Sequence, residues 1–197
     1  TTGDVEVVDG VVLVKDDYAP KSYNFKKTDI TGTTEVANAV LEITGREEGK
    51  KTDITPIKWT SDTSTTGKEV DLRPGEYRLV EIAAPSGYEA ITEVKFTVDE
   101  NGNITVTEQS TTGEVEVVGT TVLIKDDNEP GDVIFSKIDI AGQEVVGAKM
   151  KITGREDGKT ADMKPITWTT EAGQNKTVSL RPGSYTLQEV AAPKGYA

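Results

Sequence analysis

The chain has 197 residues, which is enough for two modest domains that each bury a hydrophobic core. A formal net charge of -12 argues against nucleic acid or membrane insertion, because those partners reward clustered Lys and Arg or long apolar runs. The chain contains no Cys and no His, which excludes disulfides, thiolate metal sites and most histidine-based hydrolase chemistry. We therefore expect no metal and no cofactor. No signal peptide is recognisable, so we expect any anchor to lie outside this stretch.

In chain order, short runs alternate apolar and polar residues between Gly, Pro, Asn or Asp, as β-strands do. The predicted strands in the first 127 residues include DVEVV at 4, VVLVK at 11, YNFKKTD at 23, AVLEITG at 39, PIKWT at 56, YRLVEIA at 77, EVKFTV at 93, NITVTE at 103 and TVLIKDD at 121. Asn-Gly at 101–102 predicts a hairpin, and LRPG at 72 predicts a turn. No segment has the pattern of an amphipathic helix.

The sequence also repeats itself. TTGDVEVV at 1 returns as TTGEVEVV at 111, and LRPGEYRLVEIAAPSGY at 72 returns as LRPGSYTLQEVAAPKGY at 180. Such a period indicates tandem structural units. We predict a C-terminal strand segment at 1–20 that is equivalent to 111–130, a complete unit at 21–130, and a partial unit at 131–197 that lacks its last strands. The predicted fold class is all-β, with tandem antiparallel Ig-like β-sandwiches of which the second copy is incomplete.

Strand alternation places charged side chains on faces that should be buried. The side chains predicted to face outward include Asn24, Lys26, Thr28, Arg78 and Lys125. The charged side chains predicted to face inward are Lys27, Glu81 and Asp126 in the complete unit, Lys137 and Glu189 in the partial unit, and Asp16 in the leading segment. A register slipped by one residue would bring Asp127 and Asp17 inside instead.

Burial favours the neutral forms of an amine and of a carboxylic acid, and a neutral amine is a nucleophile. Held against a carboxyl group, Lys27 would gain an effective molarity of ~10⁵ M or more, so that amide formation becomes feasible, with Glu81 relaying protons. Two plainer interpretations stay open at this point. The three groups could form an unreacted buried salt bridge, or they could be surface charges whose faces were assigned wrongly.

Three motifs together resemble the Cna B-type domains of Gram-positive surface adhesins and pilins. The first motif is FKKTD or FSKID, and the last is VLIKDDNEP. The middle motif, YRLVEIAAPSGY or YTLQEVAAPKGY, is similar to the family's E-box, Y-x-L-x-E-x-x-A-P-x-G-Y. The resemblance covers essentially the whole chain. It implies an autocatalytic isopeptide bond between Lys and Asn or Asp, promoted by the E-box Glu.

Carried over by position, the resemblance implies that Lys27 is the nucleophile, Glu81 the catalytic acid and Asp126 the acceptor. Lys137 and Glu189 match the first two roles in the second unit, and Asp16 matches an acceptor in the leading segment. Many family members have Asn at the acceptor position, whereas this chain has Asp, so water rather than ammonia would leave.

The leading functional hypothesis is a structural stalk or spacer repeat of a cell-wall-anchored surface adhesin or pilus-like protein, located outside the cell. Its partners would be neighbouring repeats and, through other domains, a host extracellular protein. We do not expect an enzyme, since amide formation consumes the site in a single turnover. A further hypothesis is head-to-tail linkage of copies through Asp16 and Lys137.

The alternative function is a module that binds a host protein or a glycan through loops 61–68 and 170–176. Trp59 and Trp168 are predicted to pack in or on the sandwich rather than to stack on sugars. The acidic turn from 99 to 103 lacks a closing bidentate Glu, so the hairpin explains it better than a calcium site does.

Overall fold

The computed structural model describes residues 4–91 and 93–196. The first three residues of the predicted leading segment, Thr92 and the last residue lie outside the described residues. The described chain forms sixteen strands and no helix. They are β1 (Asp4–Val8), β2 (Val11–Lys15), β3 (Lys21–Asp29), β4 (Val40–Glu47), β5 (Ile57–Thr60), β6 (Lys68–Leu72), β7 (Gly75–Ala83), β8 (Val94–Val98), β9 (Ile104–Glu108), β10 (Glu114–Val118), β11 (Thr121–Asp126), β12 (Gly131–Phe135), β13 (Lys149–Glu156), β14 (Ile166–Thr169), β15 (Lys176–Leu180) and β16 (Gly183–Ala191).

The chain divides into two compact units, Thr1–Asp127 and Asn128–Ala197. In the first unit, a four-stranded sheet in the order β10-β11-β3-β6 packs on a five-stranded sheet in the order β5-β4-β7-β8-β9. The second unit contains a two-stranded sheet, β12-β15, and a three-stranded sheet, β14-β13-β16. The predicted all-β class with tandem sandwiches is confirmed.

One strand pair departs from the antiparallel arrangement. β11 runs parallel to β3, with Thr121 opposite Asn24 and Asp126 opposite Asp29. This pairing joins the first strand of the sandwich to its last strand, so the two strands end side by side. It also places the residues before β3 and the residues after β11 at opposite ends of the strand pair.

The core of the first unit lies between its two sheets, where strand alternation directs apolar side chains inward. Phe25 of β3 contacts Trp59 edge-on and also approaches Phe96, which stacks on Tyr77. The fully or almost fully buried side chains also include Tyr23, Leu41, Ile43, Leu72, Leu79, Ile91, Val94 and Ile124. These residues supply most of the hydrophobic stabilisation of the unit.

The second unit buries much less. Its core cluster consists of Val145, Ala148 and Met150, with Trp168 packed against them. Leu187 on β16 is 49% exposed, whereas the equivalent Leu79 on β7 is 1% exposed. The difference arises because Leu79 is opposite Val94 of β8, and no described strand takes that place beside β16.

The leading segment forms a hairpin of two strands, β1 and β2, rather than a single strand. Its register pairs Asp4 with Lys15, and the hairpin β10-β11 pairs Glu114 with Lys125 in the same way. All ten residues of the two strands are exposed. The hairpin thus has the backbone pairing of its counterpart without the sheet that covers the counterpart.

The Asn-Gly prediction is confirmed, because β8 and β9 form a hairpin across that turn. Strand β6 was not predicted, since its start lies in a stretch assigned to a polar loop.

The sequence predicted that Thr28 and Lys125 face outward into solvent. This prediction is wrong, because they are 1% and 8% exposed. The turn after β3 covers both of them: Thr28 bridges to Glu35, and Gly32 lies against the Lys125 side chain.

Among the residues that the structure describes, no helix is long and apolar enough to cross a membrane.

Candidate functional site

Three strands carry the candidate site of the first unit. Lys27 lies near the end of β3, Glu81 lies on β7 of the opposite sheet, and Asp126 is the last residue of β11. Each has apolar neighbours two residues before it on the same face, namely Phe25, Leu79 and Ile124, because alternate residues share a face. The fold therefore brings an amine and two carboxyl groups from distant parts of the sequence into one buried position.

The three side chains contact one another directly. Lys27 Nζ forms an ion pair with Asp126 Oδ1 and lies 3.8 Å from Glu81 Oε2. All three side chains are 0% exposed. Lys27 Nζ also donates a long hydrogen bond of 3.5 Å to the carbonyl of Ile124. The inward faces predicted for these residues are observed, and the interpretation as misassigned surface charges is excluded.

Burial shifts the pKa values of both acids upward. Burial raises the pKa of Glu81 to about 8; Lys27 opposes this shift, and the nearby charge of Asp126 adds to it. Burial also raises the pKa of Asp126, against the opposing effect of Lys27. Asp126 raises the pKa of Glu81, whereas Glu81 lowers that of Asp126, so Glu81 is the acid of the two that more readily holds a proton.

One partner of the site had no signal in the sequence. The backbone N–H of Ile91 donates a 2.9 Å hydrogen bond to Glu81 Oε2. Ile91 follows the E-box in the sequence and is fully buried. A backbone donor cannot be recognised from residue type, so only the fold could reveal it.

Asp127 was the alternative inward acid. It is also buried, at 6% exposure, but the ion pair with Lys27 is made by Asp126. The neighbouring Lys125 forms its own ion pair with Glu116 at 2.5 Å on the other side of the sheet. The predicted inward residue at the end of β11, Asp126, is therefore the acid that meets Lys27.

The second unit contains the matching amine and acid in a more open setting. Lys137 Nζ lies 3.3 Å from Glu189 Oε2, and the two side chains are 30% and 26% exposed. Strand β12 ends at Phe135, so Lys137 follows the strand instead of lying within it as Lys27 does. The buried Oε1 of Glu189 has no hydrogen-bond partner.

Asp16 directly follows β2 and is exposed. Its neighbour Asp17 forms a 2.5 Å ion pair with Lys50, and the carbonyl of Tyr18 accepts a hydrogen bond from Arg73. These contacts attach the segment after the hairpin to the first unit, while Asp16 itself stays on the surface.

The other predicted features are ordinary structural elements. Asp99 accepts hydrogen bonds from the backbone and side chain of Asn103 and so closes the hairpin turn. In the part of the chain that the structure describes, no group of three or more acidic side chains is arranged to hold a metal ion. Loop 61–68 borders a cavity of about 270 Å³ beside Phe25 and Trp59, and loop 170–176 borders a similar one beside Trp168.

A family model decides the assignment of this fold. The model for the SpaA prealbumin-like fold domain matches residues 21–112 and again residues 131–197. The chain belongs to this family. The SpaA prealbumin-like fold and the Cna B-type domain are the same kind of β-sandwich. The resemblance found in the sequence is therefore confirmed. The isopeptide bond remains a prediction.

Solved structures with a similar fold come from Gram-positive bacteria. The C-terminal fragment of the pilus adhesin SpaC from Lactobacillus rhamnosus GG is 19% identical, over 92% of this chain and 78% of the fragment, with a TM-score of 0.38. The pilus adhesin RrgA from Streptococcus pneumoniae is 16% identical, over 60% of this chain and 16% of RrgA, with a TM-score of 0.43. The Bacillus anthracis TIE protein is 25% identical, over 95% of this chain and 31% of that protein, with a TM-score of 0.37.

This chain spans 27% of the longer SpaC structure that it matches. No curated protein matches it.

Proposed function

We propose that the first unit forms an amide between Lys27 and Asp126 and that the chain is a load-bearing stalk repeat of a surface adhesin or pilus-like protein. The observation that carries the proposal is the buried ion pair between these two residues, with Glu81 3.8 Å from the amine. An unreacted salt bridge is the competing interpretation. It leaves unexplained why a third ionisable group, with its pKa raised to about 8, is buried beside the pair.

The reaction is a condensation. The neutral amine of Lys27 attacks Cγ of Asp126, a proton passes from Nζ to Glu81, and Glu81 returns a proton to the departing hydroxyl. The C–N bond forms, the C–O bond breaks and one water leaves. In its protonated form, Glu81 would donate a hydrogen bond to the carboxyl group of Asp126 and so polarise it for attack. Glu81 is regenerated, but the amine is consumed, so each molecule reacts once.

The position of this bond supports a mechanical role. Lys27 lies on the first strand of the sandwich and Asp126 on its last strand, and the two strands are parallel neighbours. Tension applied before β3 and after β11 would pass along β3 to Lys27 and through the amide to Asp126. Everything from Thr28 to Lys125 would lie outside the load path.

Location on the outer surface of a Gram-positive cell, with a cell-wall anchor elsewhere in the protein, accords with the family to which the chain belongs. Neighbouring repeats are the expected partners, and a host protein would be bound by other domains. The proposed amide would replace disulfides, of which a chain without Cys has none.

The intact mass of the purified chain is the direct test. We expect the mass to be one water below that of the sequence, and fragmentation to yield a branched peptide joining Lys27 to Asp126. Lys27→Ala and Glu81→Ala should each restore the full mass, because the first removes the nucleophile and the second the proton relay.

Two matched variants sharpen this test. Asp126→Asn should still react but should lose ammonia instead of water, since only the leaving group changes. Lys26→Ala removes the neighbouring lysine, which pairs with Glu35 on the other face, and should keep the mass deficit. An unmodified mass for the parent chain would leave an ordinary salt-bridged sandwich.

The rate of amide formation should depend on pH through Glu81. Chain recovered unfolded and diluted into folding buffers should react with a bell-shaped pH dependence, because the protonated fraction of Glu81 falls above a pH of about 8 and the neutral fraction of the attacking amine falls as the pH is lowered. Mass spectrometry of quenched samples would measure the rate. A rate constant that keeps rising between pH 8 and 10 would contradict the role given to protonated Glu81.

A further inference from the structure

The carboxyl group of Glu81 is held by a backbone donor, and that donor is itself held by a side chain outside the three reacting residues. The N–H of Ile91 donates a 2.9 Å hydrogen bond to Glu81 Oε2. The carbonyl of the same peptide group, that of Ala90, accepts a 2.6 Å hydrogen bond from the hydroxyl of Thr112. We infer that Thr112 is a positioning residue for amide formation, acting on Glu81 through this peptide. The inference rests on the proposed function, because it concerns the same site.

The peptide group between Ala90 and Ile91 connects the two hydrogen bonds. Its C=O and N–H are conjugated, so a donor on the oxygen draws electron density from the nitrogen and makes the N–H a stronger donor. The Thr112 hydroxyl therefore strengthens the bond that Ile91 makes to Glu81. It also fixes the plane of the peptide group, because a planar amide held at its oxygen has a defined direction for its N–H.

The turn that carries Thr112 is held in place by side chains within it. The side chain of Gln109 spans the turn, because its Nε2 donates to the Val115 carbonyl at 2.6 Å and its Oε1 accepts from the Val115 N–H at 2.9 Å. Ser110 Oγ accepts a 3.1 Å hydrogen bond from the Thr112 N–H. Val115 is buried in the core, which anchors the turn to the sandwich. Thr112 is therefore presented to the Ala90 carbonyl from a fixed support.

The same turn packs against the strand that carries the acceptor. A Cβ built on Gly113 would lie 2.4 Å from the carbonyl oxygen of Lys125 and 3.0 Å from Cγ1 of Ile91. Only a residue without a side chain fits there, and the φ of 111° at Gly113 also favours Gly. Lys125 precedes Asp126 on β11. The turn therefore contacts both the acceptor strand and the residue whose N–H binds Glu81.

The Ile91 hydrogen bond also selects which oxygen of Glu81 carries the proton. In a protonated carboxyl group the hydroxyl oxygen is the donor, and the other oxygen keeps its acceptor capacity. An N–H on Oε2 therefore leaves the proton on Oε1, which is buried and has no hydrogen-bond partner among the described residues. Oε2 lies 3.8 Å from Lys27 Nζ and can take up the proton of the amine, while Oε1 gives its proton to the departing hydroxyl. One backbone donor thus assigns separate roles to the two oxygens.

The groups around Glu81 determine how the loss of this support would appear in a pH profile. Burial raises the pKa of Glu81, Lys27 on β3 lowers it, Asp126 on β11 raises it, and the Ile91 N–H lowers it. Burial and the neighbouring Asp127 raise the pKa of Asp126. A weaker Ile91 donor would therefore leave the pKa of Glu81 higher than in the parent chain, and the alkaline limb of the rate profile would move to higher pH.

Refolding of Thr112→Val tests the inference, because Val keeps the shape of Thr and lacks its hydroxyl. Amide formation, followed by intact mass, should be roughly fivefold slower than in the parent chain, and the alkaline limb should move to higher pH. The deficit of one water should still be reached, which shows that the variant folds. Thr112→Ala, which cannot crowd the turn, should behave in the same way.

Two further variants serve as controls. Thr112→Ser restores the hydroxyl and should recover the rate constant and the pH profile of the parent chain. Thr111→Val makes the same change at the adjacent exposed threonine and should react as the parent does.

The results separate this inference from the proposed function. A parent chain that loses no water overturns the proposed function and the role of Thr112 with it. If the parent loses water and Thr112→Val reacts at the parent rate with an unchanged pH profile, only the role of Thr112 is wrong. A slower reaction with an unchanged profile that Thr112→Ser does not restore also overturns that role, because a general weakening of the fold has this effect.

Discussion

Stretched from its two ends, the parent chain should show no unfolding step from the first unit, whereas Lys27→Ala should show one. In the variant, about 100 residues between β3 and β11 can extend at roughly 3.5 Å each, so the step should be on the order of 300 Å. In the parent, the amide carries the load, because Lys27 and Asp126 lie on parallel neighbouring strands that meet the chain entering and leaving the sandwich. Single-molecule force spectroscopy measures this length directly.

The second unit provides an internal reference for this measurement. It contains no acceptor for Lys137 among its described residues, so it should unfold in both chains with the same shorter step. Lys26→Ala should behave like the parent, since Lys26 lies on the other face of β3 and pairs with Glu35. A long step from the first unit in the parent chain would contradict the mechanical role.

Thermal unfolding of the first unit should differ strongly between the parent and Lys27→Met. Closing a loop of about 100 residues stabilises a protein by roughly 4–5 kcal/mol in the chain-entropy account developed for disulfides. At about 4 °C per kcal/mol for a domain of this size, the variant should unfold roughly 15–20 °C lower. Differential scanning calorimetry would resolve the transitions of the two units.

Met is chosen so that the difference in melting temperature reports mainly the loss of the amide. Met has a volume similar to that of Lys and introduces no charge beside the acids, so the change reports the lost bond more than a new cavity. Glu81→Gln supplies a second route to the unbonded state, because it keeps the amine and removes the proton relay. Melting temperatures within a few degrees of the parent in both variants would mean that no bond had formed.

The candidate site shows how far strand alternation alone can lead. Arg78 on the outer face of β7 implied that Glu81 lies inside, and the structure buries its side chain completely. The same argument was wrong for Thr28 and Lys125, because it treats the outer face of a sheet as solvent. The turn after β3 folds back over both residues, and that contact is tertiary.

The missed strand has a similar cause. In β6, Val70 and Leu72 are buried, and they alternate with charged residues as a half-buried strand requires. The segment lies between a polar loop and a Pro-Gly turn, so its short apolar pattern alone did not indicate a strand. Its pairing with β3, with Tyr23 opposite Val70, gives it a definite place.

The repeat, the β class and the inward faces of Lys27 and Glu81 are properties of the sequence, because period and side-chain alternation are local. Tertiary structure alone decided that β11 runs parallel to β3, that Asp126 rather than Asp127 meets Lys27, and that the Ile91 N–H binds Glu81. These three depend on which distant segments pack together. Packing is set by the fit of whole sheets, and no short stretch of sequence encodes it.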